Sequence, residues 1–160
     1  MATRLPPDLE EKLLRMVSAR PSRKVTPVTT GAAAVTPDRI TLVVTVPGCK
    51  VVSEANRRDH WAVKRRRARD QASLTHAALI GVGSDARDRI RAAPFVRVKF
   101  TRVGGKKLDS DNLVGAFKSV RDALAKWLRV DDGSDRLRFD WPVQECGETG
   151  VRIELAEEAE

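Results

Sequence analysis

Between residues 113 and 128 apolar side chains recur at spacings of three and four: Leu113, Ala116, Phe117, Val120, Leu124, Trp127 and Leu128. At 3.6 residues per turn these positions form one stripe, and a stripe that long must be covered by another layer. The run predicts a buried central helix that ends near Arg129. Acidic pairs mark both its ends: Asp109 and Asp111 before it, Asp131 and Asp132 after it, ahead of Gly133. Asp111 or Ser110 is the expected N-cap, where a side-chain oxygen accepts from a backbone N–H that the helix leaves unpaired.

The covering layer reads as β-structure. Residues 39–46 (Arg-Ile-Thr-Leu-Val-Val-Thr-Val) are β-branched and alternating, and Pro47-Gly48 ends them. In Pro94 to Thr101 the residues Phe95, Arg97 and Lys99 share one face, and Val96, Val98 and Phe100 the other. Arg136 to Trp141 and Val151 to Leu155 alternate as well, joined through Gly147 and Gly150 by what reads as a hairpin connection. A basic helix is expected from Ser53 onwards, while Gly81 to Ala93 fits a helix tail or a loop equally. The order is strand, helix, strand, helix, strand, strand. It predicts one α/β (α+β) domain with a mixed four-stranded sheet and helices packed on it.

At 160 residues the chain suits one domain with a real core. Residues 1–37 read as an N-terminal arm, with a short helix over Leu9 to Ser18 and a Pro/Thr/Ser/Ala-rich linker after it. Residues 38–156 form the expected domain, and 157–160 an acidic frayed tail. No segment reaches the ~20 apolar residues of a membrane span. No basic-then-apolar leader opens the sequence, and Cys49 and Cys146 are too few for a disulfide framework, so a reducing cytoplasm is expected. Neither type of Gly-rich phosphate loop occurs, so no nucleotide cofactor is expected.

Charge is unevenly distributed. Residues 1–107 hold 23 Lys+Arg against 9 Asp+Glu, a net of +14; residues 108–160 hold 7 against 13, a net of −6. The densest basic stretch is Arg57, Arg58, Lys64, Arg65, Arg66, Arg67 and Arg69, with Asp59 as its sole acid. Such a face repels itself unless phosphates neutralise it, which points to DNA contact. Trp61, within that stretch, is read as a core anchor in preference to a base-stacking platform. Lys106 and Lys107, after the flexible Gly104-Gly105, are placed to meet phosphate beside the first acidic pair.

Singly, the acidic motifs are ordinary caps and turns. Together with Lys118 they suit another chemistry. Hard divalent cations take carboxylate oxygens, and a cation held by Asp109, Asp111 and either Asp131 or Asp132 would activate water against a phosphodiester. Lys118, about two helical turns past Asp111, would offset the charge that develops.

These residues resemble the RusA family of Holliday-junction endonucleases, divergent bacteriophage-borne members above all. The resemblance rests on Leu108-Asp109-Ser110-Asp111-Asn112-Leu113, Lys118, Arg121-Asp122-Ala123-Leu124 and Val130-Asp131-Asp132-Gly133, with Ser53, Asn56, Arg58, His60 and Trp61 upstream and Val151-Arg152-Ile153 downstream. It covers roughly residues 38 to 156. It implies a RusA-like fold and a Mg²⁺-dependent (or Mn²⁺-dependent) crossover junction endonuclease that works as a homodimer on four-way junctions in recombination and repair, in bacterial or phage-infected cytoplasm. Asp109, Asp111 and Asp132 match the catalytic and metal-binding carboxylates, with Asp131 the alternative to Asp132. Lys118 matches the essential lysine across a small insertion near Gly115, and Asn56, Arg58 and His60 fall on the substrate side. Two rivals remain from the residues themselves: a non-catalytic basic nucleic-acid-binding protein, and a metal-dependent nuclease acting on flaps or RNA.

Overall fold

The computed structural model describes residues 34–36, 39–54 and 57–158, and the predicted helix over Leu9 to Ser18 lies outside them. Strands β1 (Ala34–Thr36) and β2 (Arg39–Pro47) lead into helices α1 (Trp61–Ile80) and α2 (Ser84–Ala92). Strand β3 (Phe95–Val103) follows, then α3 (Ser110–Ala116), α4 (Lys118–Leu128), β4 (Leu137–Phe139), β5 (Val143–Glu145) and β6 (Gly150–Glu158). Gly81 to Ala93 thus resolves into a turn and α2.

The domain is α/β with one mixed sheet, as expected, but among the described residues the sheet has six strands rather than four. Its order is β1-β2-β6-β3-β4, with β5 also on β3. The two short additions, β1 and β5, are edge segments of three residues each, too short to announce themselves as alternating runs. The sheet begins inside the stretch read as an arm, and β6 continues two residues past the boundary expected at 156.

The centre is antiparallel. β6 pairs with β2 from Thr41↔Ala156 to Pro47↔Gly150, and with β3 from Phe95↔Glu158 to Val103↔Gly150. β4 and β5 instead run parallel to β3. The hairpin expected between the last two long strands is therefore absent: β3 lies between β4 and β6. A parallel return needs a crossover, and α3 with α4 supplies it between β3 and β4.

Alternation decides which face is covered. Leu42, Val44, Val46, Val96, Val98, Phe100, Val151, Ile153 and Leu155 are all buried. The opposite face is a charged lattice in which Arg97 pairs with Asp140, Lys99 with Glu154, Arg152 with Glu145 and Glu154, and Arg138 with Glu158. Helices α1 and α2 lie over β2, and α4 packs against both. Every member of the predicted stripe, Leu113 to Leu128, is buried. The helix itself is not continuous. It breaks at Phe117 (φ −85°, ψ −1°), whose N–H donates to Val114 three residues back. Phe117 is 1% exposed and stacks on Phe100 at 5.1 Å, so a tertiary contact pulls it out of the helical ladder, with the poor helix former Gly115 beside it. Among the described residues no helix is long and apolar enough to cross a membrane.

Candidate nucleic-acid interface and acidic site

Helix α1 buries only Gln71, Thr75, Ala78 and Leu79 of its 20 residues. Its first half stands clear of the core, with Trp61, Ala62, Val63, Arg65 and Arg66 exposed and Arg69 exposed further on. Arg57 and Arg58 are exposed on the loop before it. Trp61 is 65% exposed, which overturns its reading as a core anchor. The apolar side of the helix begins only after Ala68, so no core surface lies beneath residue 61.

Not every basic side chain of the run is free for phosphate. Arg67 is ion-paired to Glu54 at 3.2 Å and also to Asp59, whose carboxyl its hydrogen bond holds below the usual range. Arg57 contacts Asp59 at 3.7 Å, and Lys64 Nζ donates to the Glu54 carbonyl at 3.5 Å. These contacts tie the loop to α1. His60 completes the junction, its Nδ1 accepting from Ala62 N–H at 3.3 Å to cap the helix. Asn56 lies outside the described residues.

The first acidic pair sits at the far end of β3. Asp109 is the N-cap of α3 by backbone position and makes no side-chain cap bond, so the cap is neither Asp111 nor Ser110. Asp111 accepts from Ser110 Oγ at 3.5 Å. Both carboxylates are exposed, as are Lys106 and Lys107. The segment leading to them is held by contacts that the sequence did not announce. Gln144 on β5 accepts from Leu108 N–H at 2.8 Å and donates to the Leu108 carbonyl at 2.7 Å. Ser53 Oγ donates to Asn112 Oδ1 at 2.8 Å, and Arg102 Nε donates to the Val51 carbonyl at 3.1 Å. Gln144 lies 36 positions from Leu108, and nothing local in the sequence signals that clamp.

The second acidic pair closes the crossover that the first opens. Asp131 Oδ1 accepts from Gly133 N–H at 2.9 Å, so this carboxylate serves the turn. Asp132 is exposed, with no hydrogen-bond or ion-pair partner among the described residues, and it is the freer of the two. Lys118 contacts Asp122 at 3.4 Å, one turn along α4. It also lines a hollow of about 320 Å³ along α4, together with Asp122, Lys126, Asp131 and Asp132. A neighbouring hollow between α1 and the α3–α4 junction is lined by Lys64, Arg65, Gly115, Ser119 and again Lys118. Lys118 is therefore where the basic helix and the second acidic pair meet. Asp109 and Asp111 line neither hollow.

The donors are carboxylate oxygens, the type a Mg²⁺-class cation takes. Among the described residues, however, no three His, Cys, Asp or Glu side chains converge on one point. A hard cation that keeps most of its waters needs only one or two carboxylates plus substrate phosphate, and Asp111 and Asp132 are exposed carboxylates of that kind.

No family model matches the chain, and no curated protein matches it. Solved structures to which it is similar include "AaThiL complexed with AMPPCP and TMP", at 12% identity and TM-score 0.33, and thiamine monophosphate kinase from Aquifex aeolicus, at 12% and 0.32. These alignments cover 100% and 93% of this chain but 45% and 41% of those, so the chain spans less than half their length. Similarity at that level carries no argument for kinase chemistry. The family reading is nonetheless corrected: no family model, RusA or other, and no curated protein matches the chain. Of the acidic motifs in that resemblance, Asp131 serves the turn that such motifs commonly form, and Asp109 takes the N-cap position of α3 by its backbone alone.

Proposed function

We propose that the chain is a divalent-metal-dependent DNA endonuclease acting on branched DNA, four-way junctions included. The observation that carries this reading is the position of Lys118, shared between a hollow lined by Lys64 and Arg65 and one lined by Asp131 and Asp132. A phosphate drawn to the exposed head of α1 would lie beside Lys118 and the exposed carboxylate of Asp132. Arg57, Arg58, Arg65, Arg66 and Arg69 would neutralise backbone phosphates, with Lys106 and Lys107 doing so beside the first acidic pair. Asp132 beside Lys118, or Asp109 with Asp111 at the start of α3, would hold the cation; Mg²⁺ or Mn²⁺, when bound, supplies Lewis-acid activation of water and phosphate. Lys118 would offset negative charge on the phosphate under attack. A homodimer making paired cuts and a reducing cytoplasm belong to the same proposal.

One observation favours a second reading, a non-catalytic DNA-binding protein: no three carboxylates converge among the described residues. Cleavage assays on a four-way junction, a flap, an RNA strand and plain duplex, in Mg²⁺, Mn²⁺ or EDTA, separate the two. The endonuclease reading expects metal-dependent nicks that Asp111→Asn and Asp132→Asn abolish while binding persists. Salt-sensitive binding without cleavage in either metal would leave the second reading standing.

A further inference from the structure

We infer that Trp61 is a stacking platform for an unpaired DNA base, so the basic head of α1 takes single-stranded DNA or the open bases at a branch rather than closed duplex alone. The inference rests on the DNA reading above and gives that surface its substrate class. An indole left 65% exposed forgoes the burial that normally retains a tryptophan. Nothing in the fold demands it there, because the first ten residues of α1 contribute no buried side chain.

Its surroundings suit a nucleotide. Lys64 and Arg65 lie three and four residues on, hence on the same side of the helix, and Arg57 and Arg58 flank it from the preceding loop. A base lying on the indole would have its phosphates within the reach of these cations. The His60 ring stands 5.5 Å from the Trp61 ring, inclined by 41°, which leaves an open aromatic corner rather than a closed stack. The platform is also held in place. Arg67 clamps the loop to α1 through Glu54 and Asp59, and His60 caps the helix on which Trp61 is the first residue. Stacking of this kind is indifferent to sequence, since every base has a π face, but it requires a base that is not already paired.

The test uses the full chain with Trp141→Phe. This removes the other exposed indole and leaves Trp127 buried, so a change in fluorescence reports Trp61. Oligothymidylate should quench the emission, and fully paired blunt duplex should not. Trp61→Ala should weaken oligothymidylate and gapped-duplex binding about 10-fold or more, and blunt-duplex binding by less than about twofold. Trp61→Phe should keep most of the affinity, and Trp61→Leu, apolar but without a π face, should not. Equal losses on single strand and duplex, or Trp61→Leu matching Trp61→Phe, would overturn the platform while leaving DNA binding intact. Failure of the unsubstituted chain to bind any DNA would overturn both readings.

Discussion

Helix α4 buries Val120, Ala123, Leu124, Ala125, Trp127 and Leu128 within 11 residues, whereas α1, with 20, buries four, all beyond Ala68. The two helices pack against one another, so the contrast does not come from different neighbourhoods. It comes from what holds each in place. Apolar burial fixes α4 along its length. The head of α1 is held instead by polar contacts: His60 at its cap, the Arg67 pairs with Glu54 and Asp59, and Lys64 on the Glu54 carbonyl. A segment that the core does not need can carry residues chosen for another purpose, and this one carries Arg65, Arg66 and an exposed Trp61.

The sharpest way to break the comparison is to attack the burial. Leu124 is fully buried, and Leu124→Ala should cost about 2–5 kcal/mol through reduced apolar packing and a cavity, read as a fall in the thermal midpoint. A loss no larger than that of a surface substitution would mean that α4 is not the anchored helix.

A smaller, local effect is expected from Arg67→Ala. It should raise amide hydrogen exchange at the head of α1 while the exchange of β6 and α4 stays as it was. The pH dependence has a definite sign. Arg67 holds the Asp59 carboxyl below its usual value, so that contribution is present above the ordinary carboxylate range and is lost as pH falls through the lowered value. The head of the unsubstituted chain should loosen on acidification, and Arg67→Ala should remove that step. Exchange that rises across the whole domain would show instead that the clamp supports the core.

The smallest effect on stability is expected from Arg65→Ala with Arg66→Ala, within about 0.5 kcal/mol because both side chains are exposed. Their DNA affinity should fall, and the slope of log affinity against log salt should become shallower by about 0.9 for each phosphate no longer neutralised. An unchanged salt slope would remove the head of α1 from the interface.

Much of this was legible locally. The alternation in β2, β3 and β6 and the stripe from Leu113 to Leu128 predicted their buried faces correctly, because pleat and helical period dictate which side chains share a side. The three-residue strands β1 and β5 were not legible, since so short a run carries no period. The break at Phe117 was missed because the stripe continues across it, and the stack on Phe100 that accompanies it joins residues far apart in the chain. The Gln144 clamp on Leu108 was invisible for a similar reason, its partners meeting only where β5 lies beside β3.

By itself, the sequence determined an α/β domain, the buried faces of its long strands and of the stripe from Leu113 to Leu128, and a basic stretch preceding an acidic one. Only the tertiary structure decided which basic residues stay free, that Asp131 serves a turn while Asp132 stands open, and that Trp61 faces outward. Period and composition act through neighbours along the chain. Pairing and exposure depend on what the fold brings alongside, and no local pattern encodes that.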